Sequence, residues 1–259
     1  MSSVTKRISE IKQPRGGYVK PSQLEVKVID DGKVLFEVEN LHASIIGMAV
    51  DYLTRLSMGA SVDDAFSISL RGAKAALAFG KPNAMRTAKE FKSKIKGIDD
   101  KSVINACKLT TFDGWFRNPS AASMAKTAEE TNPDSYTIKN IQTMVKRSVS
   151  FWNMYGPIIK DGFTFEPYGY TKTVDTGDGD FLTQDTLWDF KVSKAKPTNK
   201  HTLQLLMYWI MGQHSGKDEF KNISNLGIFN PRLNTVYTLP ISKIELDTIE
   251  IIETEVICY

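Results

Sequence analysis

The order of apolar patterns in the second half of the chain restricts the fold more than any other feature of the sequence. Apolar residues recur at helical spacing over residues 134–155, and the Gly156-Pro157 pair ends that pattern. Three strand-like stretches, an amphipathic helix, two more strands and a last helix follow, at residues 163–174, 179–182, 187–192, 201–211, 225–229, 235–239 and 242–254. The order α-β-β-β-α-β-β-α predicts an α/β fold.

The first half of the chain begins with a predicted β-hairpin and is otherwise helical in pattern. Residues 24–28 and 34–38 alternate apolar and polar side chains around a turn at residues 30–32. Helical patterns then cover residues 42–58, 61–80, 84–95 and 102–110. We therefore expect three parts, listed here with their boundaries: an N-terminal hairpin and first core helix (1–58), a helical insertion (59–133) and the main core (134–259).

Composition excludes some classes of protein and leaves others open. The formal net charge of +3 is too small to indicate nucleic-acid binding by itself. No stretch approaches the roughly 20 apolar residues of a membrane span, and residues 1–17 lack the apolar core of a signal peptide. Cys107 and Cys258 match no metal-ligand spacing. We expect a cytoplasmic protein without a membrane partner.

Two carboxylates are predicted to lie on neighbouring strands. Asp180 belongs to the strand at residues 179–182, and Asp189 belongs to the next strand. Because side chains alternate along a strand, Asp189 and Lys191 point to one face, and Trp188, Phe190 and Val192 point to the other. Carboxylate oxygens are the ligands that Mg²⁺ prefers. This arrangement predicts a metal site with a lysine beside it, although an isolated Asp-x-Lys is also typical of a surface ion pair.

The motifs around these strands resemble a known family. A G-x-x-D motif ends at Asp180, a hydrophobic strand ends in D-F-K-V-S, and a helix carries Gln204 and Tyr208 as Q-x-x-x-Y. This combination resembles the PD-(D/E)XK nucleases, most of all their RecB-type branch. The resemblance implies a restriction-endonuclease-like αβββαβ core with a mainly helical insertion.

The resemblance also implies roles for individual residues. Asp180, Asp189 and the Phe190 carbonyl would bind Mg²⁺ or Mn²⁺, and Lys191 would act on the scissile phosphate. Gln204 and Tyr208 would shape the site or contact DNA. No proline precedes Asp180, a departure that is common in this loosely defined family. The iron–sulfur cysteines and helicase motifs of some RecB-type members are also missing, so the resemblance is to a stand-alone nuclease domain.

Two further acids are candidate ligands. Asp51 occupies the position, in a Gly-x-x-apolar context, where RecB-type members present another metal ligand. An ordinary ion pair between Asp51 and Arg55 one helical turn later explains the same residue equally well. Asp178 is more typical of a turn than of a ligand.

The remaining candidates concern nucleic-acid binding. Lys194, Lys196 and Lys200 follow the second acidic strand and would contact phosphates without reading sequence. His42 and His201 are lone histidines near helix starts, a position that is usually structural, and Trp115 near a helix end is more typical of a core than of base stacking.

These features together predict a metal-dependent nuclease that hydrolyses DNA by means of metal-activated water. Two alternatives remain at this stage: a catalytically silent module on the same fold that binds nucleic acid or protein, and a structural protein with an accidental Asp-x-Lys.

Overall fold

A computed structural model describes residues 2–259 of the chain, as an α/β protein. Its α-helices are α1 (Val4–Glu10), α2 (Ala43–Ser57), α3 (Val62–Ala65), α4 (Ser67–Ala78), α5 (Ala84–Ser93), α6 (Asp100–Thr110), α7 (Asp113–Arg117), α8 (Pro119–Met124), α9 (Ser135–Tyr155), α10 (Asn199–His214) and α11 (Leu246–Ile251). Its strands are β1 (Glu25–Val28), β2 (Lys160–Phe163), β3 (Gly179–Leu182), β4 (Thr186–Phe190), β5 (Asn225–Asn230) and β6 (Thr235–Pro240). A π-helical segment, Ile252–Ile257, continues α11. No helix within residues 2–259 is long and apolar enough to cross a membrane.

The chain divides into two compact units, with one boundary between Ile29 and Asp30 and the other within α9, between Phe151 and Trp152. One unit contains Met1–Ile29 and Trp152–Tyr259, and the other contains Asp30–Phe151. We call them the sheet unit and the helical unit. The expected boundaries near residues 58 and 133 differ from this division, because α2 and most of α9 belong to the helical unit rather than to the part of the chain that carries the sheet.

Within the described residues, the sheet unit holds six strands in the order β1-β6-β5-β4-β3-β2. Only β4 and β5 run parallel, and α10 connects them. The sheet is therefore mixed, as expected when a helix returns the chain to a parallel neighbour. Leucines of β3 and β4 and much of α10 are buried in one core, which includes Leu182, Leu187, Leu203, Leu206 and Met207.

The opposite face of the sheet is packed with aromatic rings. Trp152 at the end of α9 lies 4.7 Å from Phe181 and 6.3 Å from Trp188, measured between ring centroids. Gly227 of β5 pairs with Trp188 of β4, and a Cβ at Gly227 would lie 2.3 Å from the indole. The missing side chain therefore leaves space for the tryptophan, which fixes β4 against β5.

The helical unit packs short helices closely. Helices α2 and α6 pack together, and both contribute buried residues, including Leu53 of α2 and Val103 and Leu109 of α6. A Cβ at Gly72 of α4 would meet the carbonyl oxygen of Phe112 at 1.9 Å, so only glycine permits this approach to the start of α7.

Most predicted elements are present, but the N-terminal hairpin is wrong. β1 pairs with β6, Glu25 opposite Thr238, and residues 34–38 form no strand. The Asn140 side chain instead accepts a hydrogen bond from the Phe36 N–H at 2.8 Å and donates to the Phe36 carbonyl at 2.9 Å. This amide takes the place of a strand partner, so alternation of side chains alone was misleading.

Two other predicted elements need correction. Strand β2 ends at Phe163, whereas the sequence predicted a strand over residues 163–174. Pro167 cannot donate to a strand neighbour, and the Gly169 N–H donates to the Phe165 carbonyl at 2.7 Å, which closes a turn. The last helix begins only at Leu246, after a 3₁₀ turn at Ile241–Lys243. The short helices α7 and α8 were not predicted.

Candidate active site

The hairpin of β3 and β4 places one aspartate on each of two paired strands. Phe181 pairs with Trp188 and Leu182 pairs with Leu187. Continuing this register by one position puts Asp180 opposite Asp189, and directly opposed residues share a face of the sheet. Both carboxylates therefore lie on the face that carries Leu182 and Leu187, which is the face covered by α10.

Asp180 is held by the backbone of the neighbouring strand. Its Oδ2 atom accepts a hydrogen bond from the Phe190 N–H at 2.8 Å. The Lys191 N–H donates to the Phe229 carbonyl on the β5 side. Since successive residues of a strand turn their backbone groups to opposite sides, the Phe190 carbonyl points toward β3. The carbonyl that the family resemblance assigns to the metal thus lies on the same side of β4 as Asp180.

Asp189 is a buried carboxylate with incomplete hydrogen bonding. The residue is only 3% exposed, and its Oδ1 atom accepts a hydrogen bond from Lys191 Nζ at 2.9 Å. Among residues 2–259, no group lies within hydrogen-bonding reach of its buried Oδ2 atom. A buried acceptor without a partner typically costs about 1–3 kcal/mol. Such an oxygen suits a ligand that brings positive charge.

Lys191 is positively charged in this environment. Burial acts to lower its pKa, but the negative charges of Asp189 and Asp180 outweigh burial and hold the pKa above its ordinary value. A lysine that keeps its proton can neutralise developing negative charge, but it cannot accept a proton from water. This environment therefore favours charge neutralisation on the phosphate as the task of Lys191.

Gln204 and Tyr208 lie on the face of α10 that is turned toward the acids. Gln204 Nε2 donates to the Tyr208 hydroxyl at 2.9 Å. Burial raises the pKa of Tyr208, and the charges of Asp189 and Asp180 raise it further, against the effect of the Gln204 hydrogen bond. The phenol therefore remains protonated. A Cβ at Gly177, three residues before Asp180, would lie 3.7 Å from the Tyr208 ring, so the ring packs beside the start of the strand that carries Asp180.

His201 lies near the same groups, and sequence reasoning set it aside. Burial lowers its pKa, the charge of Lys191 lowers it further, and Asp189 acts in the opposite direction. Its Nδ1 atom accepts a hydrogen bond from the Thr198 N–H at 3.0 Å. His201, Gln204 and Tyr208 occupy positions i, i+3 and i+7, and that spacing was the available signal that all three share one helix face.

The candidate phosphate contacts surround the start of α10. Lys194 and Lys196 lie in the loop between β4 and α10, Lys200 lies in the first turn of the helix, and all three are exposed. Asn230 fixes the loop, because its side chain donates to the Ser193 carbonyl at 2.8 Å. The loop thus presents cationic side chains next to the strand that carries Asp189.

The two uncertain acids have different surroundings. Asp178 is exposed, and its negative charge acts on Lys191 and Tyr208. Asp51 belongs to the helical unit, where its Oδ1 atom lies 3.0 Å from Arg55 Nε. The side chains of this pair are 23% and 18% exposed, so it is partly buried rather than fully solvated. The ion pair considered as an alternative is present, and ligation by Asp51 stays a prediction.

The acid pair is not accompanied by a third ligand of the same kind. Among residues 2–259, no group of three or more His, Cys, Asp or Glu side chains is arranged to hold a metal ion. Mg²⁺ commonly takes only one or two carboxylates from a protein and keeps several waters. Two carboxylates and a backbone carbonyl are consistent with this type of Mg²⁺ coordination.

Comparisons of the chain with protein-family models, with curated proteins and with solved structures found no match. Function is therefore inferred from the motifs and from the geometry of the acid pair.

Proposed function

We propose that this chain is a metal-dependent nuclease that hydrolyses phosphodiester bonds of DNA. The observation that carries the proposal is the buried, unpartnered Oδ2 atom of Asp189, which lies on the sheet face shared with Asp180 and beside the Lys191 ammonium. A surface ion pair would leave its carboxylate in water, whereas this carboxylate is almost completely buried. Burial of an incompletely paired acid is typical of functional sites.

The fold proposed for the site is a restriction-endonuclease-like core. The order α9-β2-β3-β4-α10-β5 agrees with the αβββαβ arrangement that the motifs imply, and β4 and β5 are the parallel pair. Residues 59–133, which lie within the helical unit, are then the counterpart of the expected insertion.

Each residue of the site has a proposed task. Asp180, Asp189 and the Phe190 carbonyl would hold the cation, and Asp51 is a further candidate. Mg²⁺ or Mn²⁺, when bound, would polarise a phosphoryl oxygen and lower the pKa of a water molecule. Lys191 would neutralise charge that develops on the phosphate. Gln204 and Tyr208 on α10 would shape the site or contact DNA. Lys194, Lys196 and Lys200 would contact DNA phosphates.

The direct test is incubation of the purified protein with linear and with circular DNA, in Mg²⁺, Mn²⁺ or EDTA. We expect cleavage with either cation and none in EDTA, because the acid pair has no other means of activating water. Gel electrophoresis of both substrates also separates attack on ends from attack on interior bonds. If the protein binds DNA and neither cation supports cutting, the silent binding module is the better description.

The contribution of Asp51 is tested by comparing two variants of one ion pair. If Asp51 binds metal, Asp51→Asn abolishes cleavage, and Arg55→Gln, which breaks the same pair, leaves most of it. If the pair is only structural, both variants lower helix stability by about 0.3–0.5 kcal/mol and cleave like the wild type. Cleavage rates and thermal melting of both variants distinguish the two roles.

A further inference from the structure

The helical unit contains a large cavity that has no part in the proposed cleavage. Its volume is about 890 Å³, and its walls come from residues 40–48, 80–87 and 110–131. This volume lies within the range of small-molecule sites, roughly 300–1,000 Å³. The cavity therefore has room for a ligand larger than a metal ion or a single anion.

One wall of the cavity carries an accessible aromatic ring. Trp115 is half-buried, and the centroid of its ring lies 5.7 Å from that of the exposed Phe79. The Lys81 ammonium stands over the indole at 5.7 Å from the ring centroid. Because Lys81 is exposed, a planar ligand can displace its ammonium from this face of the ring. The wall therefore suits an aromatic ligand.

The lining of the cavity favours an anionic ligand. The ionisable side chains that line the cavity are Lys81, Lys126, Glu129 and His42, so lysines outnumber acids. Helix α5 begins beside Lys81, and the side chain of its N-cap residue, Asn83, makes no capping hydrogen bond. The N–H groups of a helix start and a nearby ammonium both favour phosphate.

We propose that this cavity binds a nucleotide, with its base against Trp115 and its phosphate between Lys81 and the start of α5. Stacking on an aromatic side chain beside a cationic group is how proteins hold unpaired bases without reading sequence. Asn118 and Thr111 also line the cavity. The Asn118 Oδ1 atom accepts a hydrogen bond from the Ala121 N–H at 3.1 Å, and the Thr111 hydroxyl donates to the Lys108 carbonyl at 2.7 Å. The nucleotide is either free or part of a single strand, and the two sources share this chemistry.

The proposal does not depend on cleavage, because it uses neither the acid pair nor a metal. Binding can therefore be measured in EDTA, by calorimetry, with dAMP, deoxyadenosine and a short single-stranded oligodeoxyadenylate as probes. A chain without nuclease activity would still bind dAMP if the cavity is a nucleotide site.

We expect dAMP to bind the wild type roughly tenfold more tightly than deoxyadenosine, because only dAMP carries the phosphate. Lys81→Gln removes this preference, whereas Lys89→Gln, an exposed lysine of α5 that does not line the cavity, retains it. Trp115→Leu weakens both ligands by roughly tenfold, the scale of one stacked base. Tighter binding of the oligonucleotide than of dAMP, with the excess lost in Trp115→Leu, assigns the site to single strands, and tighter binding of dAMP assigns it to free nucleotides.

The proposal is overturned if neither dAMP nor the oligonucleotide binds at millimolar concentration, or if Lys81→Gln and Lys89→Gln bind dAMP equally. Circular dichroism establishes that each variant is folded. Lys81 is exposed, so its substitution tests the site even if Trp115→Leu does not fold.

Discussion

Replacement of Lys191 by alanine is expected to lower the rate of DNA cleavage by about 10²–10³ or more while DNA affinity changes only a few-fold. A positioned group that neutralises charge in the transition state is commonly worth about that factor. In contrast, one lysine among several cationic contacts contributes a small share of phosphate binding. Single-turnover cleavage rates and filter binding in EDTA measure the two quantities separately.

Lys191→Ala also leaves Asp189 without its only described hydrogen-bond donor, so the design needs a second substitution. Lys191→Gln can still donate to the Asp189 Oδ1 atom but carries no charge, and it isolates the electrostatic contribution of the ammonium. Lys172→Ala removes an exposed lysine of the same unit and serves as the matched control. Cleavage by Lys191→Gln at the wild-type rate would contradict the proposed role, because the charge would then be dispensable.

The sequence predicted the sheet around the site well because each strand there satisfies local rules. β3, β4, β5 and β6 each combine a short apolar run with a clear turn, and α10 has a long apolar face. Alternation within β4 correctly separated Asp189 from the aromatic Trp188. Local pattern was sufficient because the strands that carry the acids are sequence neighbours.

Long-range partners could not be predicted from the same rules. β1 pairs with β6, about two hundred residues later in the chain, and the backbone of Phe36 binds the side chain of Asn140. A strand pattern states that a segment needs a partner but does not identify it. For the same reason, the sequence did not show that α2 belongs to the helical unit.

The chemical state of the site also required the structure. The sequence placed Asp189 and Lys191 on one face but left open whether they form a solvated ion pair. Asp189 is almost completely buried, and among the residues described its Oδ2 atom has no hydrogen-bond partner. Both properties follow from how α10 covers the sheet. His201 was set aside because a lone histidine near a helix start is usually structural, although its spacing from Gln204 and Tyr208 on the same helix face was a signal in the sequence.

Substitution of Asp189 by asparagine is expected to abolish cleavage and also to remove the thermal stabilisation that a divalent cation gives the wild type. A ligand present at a hundred times its dissociation constant stabilises the folded state by about 2.7 kcal/mol. For a unit of this size, that corresponds to a rise in melting temperature of roughly 5–10 °C. In Asp189→Asn, a neutral amide replaces the carboxylate, so the cation loses a charged ligand and the rise should disappear.

This measurement separates metal binding from catalysis because it requires no DNA and no turnover. Asp247→Asn, an exposed acid in the first turn of α11, is the matched control and should keep the full cation-dependent rise. In EDTA, Asp189→Asn should bind DNA at least as tightly as the wild type, because it removes a negative charge near the phosphate. If Mg²⁺ and Mn²⁺ stabilise Asp189→Asn as much as the wild type, the cation binds elsewhere, and the acid pair of β3 and β4 is not the metal site.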